Sequence, residues 1–74
     1  MTEFRVGDSY IANVDYSNPN GIYFGEAVPG SLTSDQVWRI RMVTISGMSV
    51  TVLWANGTNS FDKIWDNRGQ YSYE

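Results

Sequence analysis

Two spacings in this chain are of the kind that does chemistry. Asp62 and Asp66 stand four residues apart, so a helical turn would place both carboxylates on one face. Arg39 and Arg41 stand two apart, so a strand would place both guanidiniums on one face. A carboxylate pair held in a cleft is what a glycosidase or an Asp-based hydrolase needs. A chain of 74 residues has little room for such a cleft, and two solvated residues at a helix end are the simpler account of Asp62 and Asp66. Histidine is absent, and with it the usual general base and the usual neutral metal ligand. Cysteine is absent too, which removes disulfides and thiolate zinc sites. The Asp/Asn-rich stretch from Asn56 to Asn67 lacks the spacing of a calcium loop. The sequence therefore points to no catalytic residue, no cofactor and no metal, and the chain is expected not to be an enzyme.

The arginine pair lies in the most informative segment, VWRIRMVTISGMSVTVLWA at 37–55. Ser46-Gly47 divides it into two strand-like halves, as in a tight hairpin. Pairing Ile45 with Met48 puts Trp38, Ile40, Met42, Leu53 and Ala55 on one face. The opposite face then carries Val43, Ile45, Met48, Val50, Val52 and Trp54, with Arg39 and Arg41 among them. A hairpin with one wet face should be polar on that face, and this one is not. A small chain with two apolar faces must cover the second with its own strands or with another subunit. Arg39 and Arg41 either lie over apolar surface with their heads in water or anchor a neighbour through a carboxylate such as Asp62, Asp66 or Glu74. Trp54, set across from Arg39, can form a cation–π pair.

A domain this small buries only about 60% of the surface its unfolded chain exposes, and without staples oligomerisation is the expected further source of stability. Five basic residues against eight acidic ones leave a net charge of −3, too little positive charge for a phosphate track. No apolar run is long enough for a membrane helix. The opening MTEFRVGD has no basic stretch followed by an apolar core, so a soluble protein made without Sec export is expected.

Aromatic and β-branched residues punctuated by turn formers indicate an all-β fold over one domain, 1–74: a small antiparallel sandwich or partly open barrel of about five strands with one short helical turn. A first strand over 9–16 alternates Tyr10, Ala12, Val14 and Tyr16, its apolar face, against Ser9, Ile11, Asn13 and Asp15. Asn18-Pro19-Asn20-Gly21 is a turn, with positive φ expected in Asn-Gly. A second strand spans 22–28, where Gly25 marks a bulge or a close backbone approach. Pro29-Gly30 suits a type II turn, and the polar loop 30–35 is the candidate mobile part. Asn56-Gly57 is a second hairpin-type turn; as part of Asn-Gly-Thr it also matches a glycosylation triplet. Phe61, Ile64 and Trp65 at i, i+3 and i+4 predict a helical turn over 61–66, and 70–74 reads as a short edge strand.

The aromatic residues also admit a ligand reading, because Trp and Tyr exposed on a sheet stack sugars and bases. Trp38 and Trp65 fit a core better. Exposed Tyr23, Tyr71 and Tyr73, with Trp54, would make a glycan-binding row, and that is the alternative function.

Four segments together carry a family resemblance: YFGEAVPG at 23–30, VWRI at 37–40, LWANG at 53–57 and FDKIWDNR at 61–68. Their order and spacing resemble a set of short proteins encoded among the structural genes of tailed bacteriophages. In those, a GEA-PG segment precedes a W-R-I strand, and W-A-[DN]-G and F-D-x-[IV]-W-D-x-R segments close the chain. The likeness covers most of 22–73 and leaves the first 20 residues outside. It implies a virion-associated structural role, as capsid decoration or a tail or fibre accessory, and supplies no catalytic residues. The expected partners are other virion proteins and copies of the chain itself, with no nucleic acid and no membrane. The expected location is the virion, after synthesis in the bacterial cytoplasm. Mimicry of nucleic acid to inhibit a host factor is a third reading, and a net charge of −3 is weak for it.

Overall fold

In a computed structural model, which describes residues 10–74, those residues form an open sheet of five antiparallel strands that leads into a short 3-10 helix. The strands are β1 (Ile11–Asp15), β2 (Ile22–Ala27), β3 (Gln36–Ser46), β4 (Ser49–Trp54) and β5 (Lys63–Ile64); the helix is Trp65–Gln70. The order is β1-β2-β3-β4, and β5 pairs with the start of β3. The expectations for MTEFRVGD and for Ser9 lie outside the described residues.

Local chemistry explains the connections. Val28-Pro29-Gly30-Ser31 closes with Ser31 N–H donating to Val28 O at 3.2 Å and Gly30 at φ 93°, a type II turn. Asn56 and Gly57 both take positive φ, 54° and 73°, as a type I′ turn requires. In the central hairpin only Gly47 is left-handed, at φ 60°, so its two-residue loop is Gly47-Met48 and of type II′. The register follows: Ile45 pairs with Val50 and Ser46 with Ser49, instead of Ile45 with Met48. That shift of two residues leaves the faces unchanged, since side chains alternate with period two. It removes Met48 from the strand and puts it, fully exposed, in the turn. It also sets Trp54 across from Arg41 instead of Arg39. At Asn18-Pro19-Asn20-Gly21 positive φ is not used. Pro19 starts the turn, and the Asn18 side chain accepts from Asn20 N–H at 2.8 Å.

One face of the sheet is closed. Tyr23, Ala27, Trp38, Ile40, Ala55 and Trp65 form the buried core, with Ile11, Met42, Tyr71 and Tyr73 packed against it. Leu53 shares this face but is only half-buried, because the far half of the hairpin extends past the core. The lid is Trp65, whose ring lies on the backbone of Gly25. A Cβ at residue 25 would sit 2.6 Å from Trp65 Cζ3 and 3.2 Å from Trp38 Cε3. The close approach expected at Gly25 is therefore an indole docking on β2.

Three local expectations change. The Phe61–Asp66 stretch is not a helical turn: Lys63 and Ile64 pair with Trp38 and Gln36, and the 3-10 helix begins only at Trp65. The start of β3 offers an open ladder, and backbone pairing with it overrides the helical spacing. β1 is also inverted. Ile11, Asn13 and Asp15 turn toward the closed face, and Ala12 and Val14 are exposed. Third, the 30–35 loop is tied down. Trp38 Nε1 donates to Leu32 O at 2.9 Å, Leu32 N–H to Asp35 Oδ2 at 2.9 Å, and Asp66 N–H to Thr33 O at 3.1 Å.

Replacing Gly25 with Ala is expected to cost about 1–3 kcal/mol, the range for overpacking. Adding Trp65→Phe, which removes the ring that blocks the new methyl, should recover part of the loss in a urea melt. Strictly additive effects would show that the two residues do not meet.

Candidate functional site

The open face of the sheet collects most of the residues singled out in the sequence. Arg39, Arg41, Val43 and Ile45 on β3 lie beside Val50, Val52 and Trp54 on β4. The strip is wider than the hairpin. β2 adds Ile22, Phe24 and Glu26, and β1, through its inversion, adds Ala12 and Val14. The N-terminal strand therefore extends this face instead of covering it. Val14 is 40% exposed, Val52 46%, Val50 63% and Ile45 65%, values that leave the strip open to solvent.

Glu26 is the residue that sequence reasoning missed. It lies directly across from Arg39 and diagonal to Arg41. Oε1 accepts from Arg39 Nε at 2.9 Å and from Arg41 Nη1 at 3.2 Å. The carboxylate expected from a neighbour at Asp62, Asp66 or Glu74 is thus supplied within the chain. Burial pushes the Glu26 carboxyl up, but the hydrogen bond and charge of Arg39, with those of Arg41, outweigh it and hold the group below its ordinary value. The arginines are also framed by rings. Arg39 lies 4.7 Å from the Phe61 centroid and 5.4 Å from that of Tyr10; Arg41 lies 5.4 Å from Trp54 and 5.5 Å from Phe24. Two guanidiniums share one carboxylate here, so the cluster carries an excess positive charge with N–H donors to spare. No local motif announces Glu26; its role appears only once β2 and β3 are set in register.

On the closed side, Arg68 ties the lid to β1. Its Nε donates to Asp15 Oδ2 at 2.9 Å, its Nη1 to Trp65 O at 3.1 Å, and its guanidinium stacks on Trp65 at 4.6 Å. Ser17 caps the same carboxylate through its hydroxyl, at 2.6 Å, and its backbone N–H. These bonds, with Arg68, lower Asp15 to about 2. A shallow depression nearby is lined by Asp15, Tyr23, Asp66 and Arg68. Asp62 and Asp66 do not form a carboxylate pair and are solvated, the simpler of the two accounts the sequence admits. Both are exposed, Asp62 holds the buried Lys63 ammonium, and a strand-to-helix junction separates them.

The exposed glycan row of Tyr23, Tyr71 and Tyr73 is not present either. Tyr23 is buried in the core and its hydroxyl accepts from Asn18 Nδ2 at 2.7 Å. The Tyr71 hydroxyl accepts from Ile64 N–H at 2.9 Å, and that of Tyr73 donates to Arg68 O at 2.7 Å. Burial, with Tyr23 and Tyr71 close by, raises the Tyr73 hydroxyl well above the ordinary range. A thin core needs its large rings inside: Tyr23 is part of that core, and Tyr71 and Tyr73 pack against it.

No family model, curated protein or solved structure matches this chain.

Asp15 and Glu26 both sit below their ordinary values, 3.8 and 4.5. A lowered carboxyl lends stability that is full above its unfolded value and is lost as pH falls through its folded value. The melting temperature is therefore expected to drop on acidification from the ordinary carboxylate range toward about pH 2. Asp15→Asn and Glu26→Gln should each lower it at neutral pH and flatten the acid limb. An acid limb unchanged in both variants would place the titrating groups elsewhere.

Proposed function

We propose that this chain is a non-enzymatic structural component of a tailed-phage particle, present in many copies, that holds its neighbours through the open sheet face. The observation that carries the assembly reading is the apolar strip from Val14 to Val50, exposed beside a guanidinium pair only partly neutralised by Glu26. Soluble monomers rarely leave a large contiguous apolar patch bare, and Arg with aromatic residues is the composition enriched at interface centres. The phage assignment rests on the sequence resemblance. Other virion proteins and copies of the chain are the partners it implies, and a partner that presents carboxylates among apolar residues fits the strip best. The glycan alternative draws less support, because Tyr23, Tyr71 and Tyr73 pack inward and only Trp54 of that row lies on the open face.

Mass spectrometry of purified particles should find this chain at a copy number set by particle symmetry. Val14→Lys, on an exposed side chain, is expected to abolish incorporation while leaving the far-UV spectrum and the melt close to those of the parent. Full incorporation of that variant would move the contact off this face.

A further inference from the structure

Among the described residues, the outer edge of β4 carries a row of backbone hydrogen-bonding groups with no partner short of Trp54. In an antiparallel ladder, alternate residues bond to one neighbour and the rest face the other way. Ala55 N–H donates to Ile40 O at 2.9 Å, which assigns Ser49, Thr51 and Leu53 to the β3 side. Val50, Val52 and Trp54 therefore present their N–H and C=O groups outward. At Trp54 this is visible directly: its N–H donates to Glu74 O at 3.1 Å, and its C=O accepts from Glu74 N–H at 3.0 Å. The tail thus adds a short strand to this edge as far as Trp54. Among the described residues nothing pairs with Val50 or Val52 beyond β3.

Edges of this kind are normally blunted by a charge, a proline or a bulge. Ser49–Trp54, SVTVLW, has no charge and no proline, and its ladder with β3 is regular. We infer that the β4 edge pairs with the β4 edge of a second copy, antiparallel about a twofold axis at Thr51. A strand is what a row of open N–H and C=O groups binds. A second copy is favoured because the edge is uncharged, so like meets like without repulsion, and because a twofold matches its rows. Val50 of each copy faces Val52 of the other, and each such pair exchanges two backbone hydrogen bonds. Sliding by one step in one direction would require the Trp54 positions already held by Glu74. Sliding in the other would require Met48, which is in the turn. Glu74 therefore acts as a stop that sets the register. The two sheets become one, with their open faces on the same side and the Val50 and Val52 side chains of both copies adjoining.

This inference deepens the assembly reading by naming a partner, and it rests on that reading only in needing more than one copy. The test is the mass of the purified chain across concentration, by sedimentation, with two variants. Val52→Pro removes one outward N–H, a position at which an edge strand tolerates proline. It is expected to abolish self-association while the far-UV spectrum is kept. Thr51→Cys puts the chain's sole thiol on the twofold, where facing Cα atoms about 4.5 Å apart lie within disulfide reach. It should cross-link far faster than Asn59→Cys, an exposed control. A parent chain that stays monomeric to millimolar concentration overturns the inference, as does a Thr51→Cys variant that cross-links no faster than the control. Self-association that survives Val52→Pro but is lost in Val14→Lys overturns the edge pairing and keeps the open-face reading. The opposite pattern keeps the edge, and the open face is then judged by particle incorporation of Val14→Lys.

Discussion

Everything on the closed side of this sheet depends on one contact, the Trp65 indole lying on the bare backbone of Gly25. With no disulfide and so few residues, a single large ring must do the covering that a second sheet does in a larger sandwich. The ring reaches β2 only because residue 25 has no side chain. It stays there because the short helix that carries it is fastened at several points. Trp38 meets it at 5.8 Å between centroids, Arg68 clamps it to Asp15, Tyr73 bonds to the Arg68 carbonyl, and Thr33 receives Asp66 N–H. These fastenings come from β1, the 30–35 loop, β3 and the tail. The lid thereby joins segments far apart in sequence, and the tyrosines that resembled a binding row are consumed in supporting it.

The open side follows from the same shortage. The C-terminal third of the chain is used on one face, and among the described residues no element lies over the other. The chain softens the exposure with long amphipathic side chains. Arg39 and Arg41 lie across the sheet, stacked on rings and joined at Glu26, so their stems shield apolar surface while their heads stay charged. Past the arginines the strip has no such cover, and Ile45, Val50 and Val52 stand in solvent.

Features set by short-range chemistry were legible from the residues. Pro29-Gly30 and Asn56-Gly57 turn as their types demand, Trp38 and Ile40 share the buried face, and Gly25 marks a close approach. The hairpin faces survived an error in register, because the error was an even number of residues. What escaped was set by partners distant in sequence. β1 looked apolar through Tyr10, Ala12 and Val14. Pairing with β2 instead turns Ile11 and Asp15 inward, where Asp15 finds Arg68, 53 positions away. Phe61-Asp62-Lys63-Ile64 had a helical spacing, and an unpaired stretch of β3 drew it into a strand. Glu26 was invisible for the same reason: nothing adjacent to it in the chain announces two arginines across the ladder.

The central hairpin is a cantilever. β3 runs through eleven residues, rooted at Trp38 and Ile40 beneath the lid, while its far end and the turn at Gly47-Met48 stand clear of the core. Load placed on that tip travels along a continuous ladder into the most tightly packed part of the molecule. Changes in the length of the arm leave the root untouched. Reach and foldability are therefore separate variables here. A lineage carrying this scaffold can lengthen, shorten or re-sequence the arm between Thr44 and Thr51 to meet a new neighbour without re-solving the problem of how so short a chain stays folded.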